Sequence, residues 1–340
     1  MLISVIVPTY RNTKEEIERC LGSIYQSDWR DFEVLLVDDG NTTEYAAYLD
    51  TLSARFAGLR VLHLPHGGVS AARNAAVLEA QGEYILFSDA DDIVTKQFWE
   101  DAKEISARDI EADIIYGMVG NKPIGTFSDE SGKPFLIWEL DEAEKKELYA
   151  HFFAAARRKF WTRDGHVSGG PVSRLVRRDF IKSFPFRTNL ILGEDSVWNL
   201  DMLRGNPCVV LTDHIWYRVG ENPESATHRY REDIVERYLE ILRTLQDYVT
   251  DDVKDDYRKR LVSALAEIAT RYYLSPKNSL SWGKKVKKYN QMAWSEPFTE
   301  ILKINEWRAK EILRLGLYKA GLLLYVYKLK MLLRKMLLRR

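Results

Sequence analysis

Tyr84-Ile85-Leu86-Phe87-Ser88-Asp89-Ala90-Asp91-Asp92 joins an apolar run to three carboxylates within four residues. The run reads as a buried strand, so the carboxylates fall at its carboxyl end, where open α/β sheets bind ligands. Clustered carboxylates repel one another unless water or a cation screens them. Taken alone, the stretch fits either a solvated acidic turn or oxygen ligands for Mg²⁺ or Mn²⁺ holding a diphosphate. The residues that precede it favour the second.

Leu2 to Val7 is another continuous apolar run rich in β-branched residues, ended by Pro8-Thr9-Tyr10. Thr13 and Glu16 form a capping box ahead of Ile17, Cys20, Leu21 and Ile24, one apolar stripe at helical spacing. Phe32 to Val37 is the next strand and closes on Asp38-Asp39-Gly40; a helix over 45–56 and a strand over 59–64 follow. Ser70 is placed to cap a helix over 71–80, with Gly82 at its C′ position. Beyond the strand over 84–88 come a helix over 96–107 and a strand over 113–118. The alternation predicts a mostly parallel sheet with helices on both faces. Periodicity fades between 120 and 140, a charged helix is expected over 141–158, and residues 169–206 mix turns with amphipathic pieces. From Asp233 the chain reads helical, over 234–249, 256–273 and 284–294.

The 340 residues carry 46% hydrophobic and 29% charged side chains, enough apolar content for a real core. The net charge is zero, yet Ile312 to Arg340 holds eight Lys and Arg and no Asp or Glu, which leaves minus eight on the remainder. That balance argues against nucleic acid as a partner of the main body. Cys20 and Cys208 lie in no CxxC pattern and are expected as buried, reduced thiols. Met1 leads directly into a strand-like run and no stretch of eighteen uncharged apolar residues occurs, so a cytoplasmic chain with no membrane span is expected.

Polar groups end each strand of the first half: Pro8-Thr9-Tyr10, Asp38-Asp39, Gly67-Gly68 with Arg73-Asn74, and Asp89-Ala90-Asp91. In a parallel sheet all of these share one edge, which is expected to bind a ligand. Arg73, near a helix start, suits a phosphate-bearing ligand, although it also fits an exposed cation on a helix face. No Gly-x-Gly-x-x-Gly follows the first strand and no P-loop or His-Glu-x-x-His pattern occurs, which disfavours dinucleotide oxidoreductases, P-loop NTPases and that class of zinc hydrolase.

Over residues 2 to about 120, four linked motifs resemble family 2 glycosyltransferases with the GT-A fold: Val5 to Asn12, Val37 to Thr43, Gly67 to Asn74, and Asp89 to Asp92. To about residue 230 the chain resembles the bacterial branch that builds capsular, lipopolysaccharide and wall polysaccharides. The resemblance implies a GT-A, Rossmann-like α/β domain with a mostly parallel sheet; the helical C-terminal region that follows rests on the sequence pattern beyond residue 230, to which the resemblance does not extend. The resemblance also implies inverting transfer from a nucleotide-sugar, usually a UDP-sugar, to a glycan or lipid-linked acceptor, with Mn²⁺ or Mg²⁺ as cofactor. By position, Pro8, Thr9 and Tyr10 would line the nucleoside pocket, with Asp39 on the uracil and Arg73 on the base or phosphates. Gly68, Asn74, Asp89 and Ala90 would join the donor contacts, and Asp89 and Asp91 would hold the metal. Asn41 departs from the usual serine, a conservative polar change.

Inversion needs a base on the face opposite the leaving diphosphate. Gly193-Glu194-Asp195-Ser196-Val197-Trp198-Asn199 resembles the acceptor-site pair of these transferases, with Asp195 as base and Glu194 beside it on the acceptor. An acidic cluster that only complements a helix dipole is the alternative. Gly169 to Leu175 resembles the acceptor-side loop that leads to Arg177-Arg178-Asp179, and Glu221 to His228 the loop that closes over the donor, with His228 a further candidate metal or diphosphate ligand. The other histidines, His66 among them, and most tryptophans take a structural reading. The expected division is 1–120 for the nucleotide-sugar half, 121–230 for the acceptor half, 231–311 for a helical region, and 312–340 for a basic amphipathic helix. That last segment fits a peripheral anchor on an anionic inner leaflet, or a helix packed on the body or on a partner subunit.

Overall fold

The computed structural model describes residues 1–121, 135–154, 160, 164–220, 230–303, 316–319 and 321–337. They fall into two compact units, Met1–Asn222 and Pro223–Arg340.

In the first unit the strands are β1 (Ile3–Thr9), β2 (Phe32–Asp39), β3 (Leu59–Leu64), β4 (Tyr84–Phe87), β5 (Ile93–Val94), β6 (Ile114–Gly120), β7 (Trp138–Glu139), β8 (Gly165–His166), β9 (Arg174–Arg177) and β10 (Val209–Arg218). Between them run α1 (Lys14–Tyr25), α2 (Thr43–Ser53), α3 (Val69–Glu79), α4 (Lys96–Ala107), α5 (Glu142–Ala154), α6 (Arg178–Ile181) and α7 (Glu194–Arg204). They form one mixed sheet in the order β3-β2-β1-β4-β9-β6-β10-β5, with β7 beside β10 and β8 beside β6. β3, β2, β1 and β4 are parallel, and Val5 stands opposite Val34 on one side and Leu86 on the other. Chain order reverses at β1, so a crevice opens between the carboxyl ends of β1 and β4.

Every residue of β1 is buried, as its unbroken apolar run requires. Ile3, Val5 and Val7 pack in one core with Ile17, Cys20, Leu21 and Ile24 of α1 and Phe98, Trp99 and Ala102 of α4. The alternate residues face the side of the sheet that carries α3. Thr13 caps α1, and both bonds of the capping box form: the Glu16 N–H donates to Thr13 Oγ1 and the Thr13 N–H to Glu16 Oε2.

Residues beyond 121 enter the same sheet through strands absent from the expected elements. β9 is antiparallel to both β4 and β6, and β10 is parallel to β6. β9 is only four residues long, and β10 is interrupted by register shifts after Leu211 and Ile215, so neither shows a clean period. Three local expectations change. Gly68, at φ 85°, is the N-cap of α3, and Ser70 lies inside the first turn. Gly82 is not a helix cap: α3 ends at Ala80 in extended conformation, and a Cβ on Gly82 would meet the backbone N of Ser4 and come within 2.7 Å of its Oγ. Cys208 is half-buried, while Cys20 is fully buried, and both are free thiols.

The second unit is helical: α8 (Ile234–Gln246), α9 (Lys254–Ile268) running into a π-turn at Ala269–Tyr273, α10 (Trp282–Ala293) and α11 (Leu323–Leu337). Its core includes Tyr238, Leu242, Tyr257, Leu261, Leu265 and Tyr289. Among the described residues no helix is long and apolar enough to cross a membrane.

Because the space over Gly82 is filled by β1 backbone, Gly82→Ala should destabilise the chain by about 2–3 kcal/mol. Urea unfolding followed by near-UV circular dichroism would read this as a lowered midpoint; an unchanged midpoint would mean that the Gly82 turn can move away from β1.

Candidate functional site

The β1 and β2 ends are tied together by Asn41. Its side-chain amide donates to the Thr9 carbonyl (3.1 Å) and to Asp38 Oδ1 (2.8 Å), and its Oδ1 accepts the Arg11 N–H (2.8 Å). A serine could not span all three groups, so the departure at Asn41 is a structural tie. Pro8 and Thr9 are buried, while Tyr10 is exposed at the rim. Asp39 is buried and receives the N–H groups of Gly67 (2.8 Å) and Gly68 (3.0 Å), with His66 Nδ1 2.9 Å from its Oδ2. Asp39 therefore shapes the turn that starts α3. His66, which the sequence reading sets aside as structural, is half-exposed and stacks on Tyr10 with ring centroids 4.1 Å apart. Only the Gly67-Gly68 turn that follows it hinted at this place.

Arg73, in the second turn of α3, points inward. It is 3% exposed, with Nη2 2.8 Å from Asp89 Oδ1 and Nη1 3.3 Å from Asp195 Oδ1. The rings of Phe87 and Phe186 flank its guanidinium. Burial works against the charge, but Asp89, Asp195 and Glu194 outweigh it and hold the guanidinium above its usual pKa. Arg73 is thus not an exposed helix-face cation but a buried bridge between two carboxylates. The Asn74 side-chain amide donates to the Phe186 carbonyl and its Oδ1 accepts the Phe186 N–H, both at 2.8 Å. It clasps the segment around Phe186.

The Asp89–Asp92 turn is held from three sides. The Asp89 N–H donates to Tyr217 Oη (2.8 Å), Arg19 donates to the Asp91 carbonyl (2.6 Å), and the Gly220 N–H donates to Asp92 Oδ1 (2.6 Å). Ala90 packs into the core, which leaves Asp89 and Asp91 half-buried at the crevice. Burial, then the charges of Asp89 and Asp91, push the Asp92 carboxyl up to about 7. The turn therefore gathers three carboxyl groups whose mutual repulsion is felt at Asp92, with Arg73 answering Asp89. Among the described residues no three His, Cys, Asp or Glu converge as a closed metal cage. Two oxygen donors on an open edge do fit Mg²⁺ or Mn²⁺ whose remaining ligands come from a diphosphate and water. His228 lies outside the described residues.

Opposite, Gly193 at φ 76° is the N-cap of α7 and places Glu194 and Asp195 in its first turn. Burial first, then the Asp195 charge, pushes Glu194 up to about 7; burial likewise raises Asp195, with Arg73 opposing. Asn199, one turn on, donates to the carbonyls of Asp195 and Gly169, each at 2.8 Å. Its Oδ1 accepts from Arg174, a fully buried arginine that also donates to the carbonyls of Ser168 (2.9 Å) and Gly170 and to Tyr116 Oη (3.2 Å). Arg174 and Asn199 hold the Gly169-Gly170 loop beside Asp195. Trp198 and Trp216 are buried core residues, as expected.

The site thus faces carboxylates from two sequence-distant halves across one crevice. A family model described as glycosyl transferase family 2 matches residues 4–183. The chain belongs to glycosyltransferase family 2. It is 30% identical over 234 residues to the uncharacterized glycosyltransferase EpsJ of Bacillus subtilis, covering 66% of this chain and 63% of EpsJ. It is 25% identical over 308 residues to Staphylococcus aureus TarS, a poly(ribitol-phosphate) beta-N-acetylglucosaminyltransferase, covering 86% of this chain and 48% of TarS. The chain therefore spans less than two thirds of EpsJ and about half of TarS. The GT-A fold is shared with S. aureus TarS 1-349 in complex with UDP-GlcNAc, at a TM-score of 0.55 and 20% identity over 86% of this chain and 81% of that one.

Replacing Arg73 by Met leaves Asp89 and Asp195 facing each other without their shared cation. Breaking a buried ion pair is strongly destabilising, and here the loss should be about 2–3 kcal/mol because both carboxylates keep some water. Glu194 and Asp195, raised in the folded state, bind protons there that the unfolded chain releases between the ordinary carboxylate range and about pH 7. Their contribution to stability therefore falls as pH rises through that window. Arg73→Met should be more damaging at pH 8 than at pH 5, as read by urea midpoints at the two pH values; equal losses would mean that the acidic pair is not electrostatically tied to Arg73.

Proposed function

We propose that this family 2 chain transfers a sugar, with inversion, from a UDP-sugar to a hydroxyl of a glycan acceptor carried on a lipid, in bacterial surface polysaccharide synthesis. The observation that carries this reading is the Arg73 bridge, which sets Asp89 of the donor edge and Asp195 of the acceptor edge on one guanidinium. A UDP-sugar donor is supported by the TarS relative, whose structure is known with UDP-GlcNAc.

In this reading residues 1–120 hold the donor and 121–230 the acceptor. The nucleobase lies at the rim that Asp39 builds, against Tyr10 and His66. The strand end at Pro8 and Thr9 and the Gly67-Gly68 turn line the nucleoside pocket. Asp89 and Asp91 would hold Mg²⁺ or Mn²⁺, which when bound offsets the charge on the departing diphosphate. Asp195 takes the proton of the acceptor hydroxyl as that oxygen attacks the anomeric carbon. The bond from that carbon to the diphosphate oxygen breaks, and UDP leaves. Partial burial raises Asp195 toward neutrality and so makes it a stronger base, while its remaining exposure of 29% leaves room for an acceptor. Glu194 binds the acceptor beside it. The tail over 312–340 holds the protein to the inner face of the membrane, where lipid-linked acceptors lie.

Thermal shifts with nucleotide-sugars, in Mn²⁺, Mg²⁺ or EDTA, test the donor and the metal together, because a ligand that binds only the native state raises the melting point. A UDP-sugar should stabilise the chain, EDTA should abolish the shift, and Asp91→Asn should remove its metal-dependent part. If only GDP-, dTDP- or CMP-sugars shift the melting point, the donor assignment is wrong; if no nucleotide-sugar does, a transferase reading gives way to a silent scaffold. Asp195→Asn should keep the shift and lower UDP release in the presence of acceptor by about a thousandfold. Near-normal turnover in that variant would remove Asp195 as the base.

A further inference from the structure

The first turns of α11 are anchored on one face, where Leu323, Leu324 and Tyr327 are buried. Its opposite face is open: Leu322, Tyr325, Leu329, Leu332 and Leu333 are 44–57% exposed. α10 runs antiparallel beside this segment. Trp294 Nε1 donates to the Tyr318 carbonyl (3.2 Å), Asn290 Nδ2 donates to the Gly321 carbonyl (3.1 Å), and the Trp282 ring meets Tyr325 edge-on at 5.2 Å. Lys328 Nζ lies 4.0 Å from the centre of the Trp282 ring. α10 carries four cations of its own, Lys284, Lys285, Lys287 and Lys288, and α11 adds Lys328, which meets Trp282 of α10, and Lys330. Among the described side chains of these two helices there are four lysines and two, and no acidic group.

We propose that α10 and α11 together form a platform for an anionic phospholipid bilayer surface. This rests on the membrane reading of the tail and extends it to a helix outside the tail. The open leucines enter the acyl boundary, Trp282 and Tyr325 sit at headgroup level, and lysines from both helices meet the phosphates. The spacing of Leu322, Tyr325, Leu329 and Leu332, three and four apart, would also suit a seam with a second copy of the chain. Charge decides against that partner: two copies would bring cations together from both helices with no carboxylate on either to answer them.

The test is co-sedimentation of the full chain with vesicles of phosphatidylglycerol and phosphatidylcholine, against phosphatidylcholine alone. Binding should need the anionic lipid and weaken with salt. Lys284→Gln, Lys287→Gln and Lys288→Gln combined alter exposed side chains of α10 only, and should weaken binding about tenfold or more. Leu329→Asp with Leu332→Asp should abolish it. If the leucine variant loses binding but the lysine variant binds like wild type, the tail acts alone and the two-helix platform is wrong. If the wild type binds no vesicle, and light scattering shows a dimer that Leu329→Asp dissolves, the surface is a contact between copies and the membrane reading fails with it.

Discussion

The Arg73 guanidinium is almost wholly out of water, and negative charge answers it from two places. Asp89 arrives at the end of β4 and Asp195 in the first turn of α7, more than a hundred residues later. Each carboxylate sits where neighbouring acids would otherwise repel it: Asp89 beside Asp91 and Asp92, Asp195 beside Glu194. One cation therefore offsets both clusters. The electrostatics of the β4 end and of the α7 start become a single problem, and the crevice between them has a defined width. Asn74, next in the chain, adds a neutral tie in the same direction by pairing with both backbone groups of Phe186.

A second buried arginine supports the far wall. Burial lowers the pKa of Arg174, with Tyr116 and the Asp195 charge opposing, and its own charge is met by carbonyl dipoles of Ser168 and Gly170, by Asn199 and by the face of Tyr116. These groups belong to the loop before β9, to α7 and to β6. The cation thus fixes the loop, and its field, together with that of Arg73, keeps Asp195 from rising as far as burial alone would take it. A carboxylate that stays ionisable in a partly dry crevice needs this kind of balance.

The first half of the sheet was legible because its signals are local. Strands covered on both faces must be apolar throughout, so β1, β2 and β4 stand out as unbroken runs, and the Thr13–Glu16 box marks a helix start within four residues. The parallel order then forces the polar ends of those strands to one edge, and family 2 motifs follow from reading them in sequence. β9 and β10 did not stand out. A four-residue strand and a strand with register shifts carry no clean period, and their place in the sheet comes from long-range pairing with β4 and β6.

From sequence alone came the α/β class, the site edge, the carboxylates Asp89, Asp91, Glu194 and Asp195, and the one-signed charge of the C-terminal segment, since each is a matter of residue type and short spacing. Only the tertiary structure decided what those residues touch. It made Arg73 a buried bridge between Asp89 and Asp195, paired Asn74 with Phe186, and set His66 against Tyr10. It also set Trp282 of the lysine-rich α10 against Tyr325 and Lys328 of α11. Burial and charge compensation depend on groups far apart in the chain, and no local pattern encodes which of them will meet.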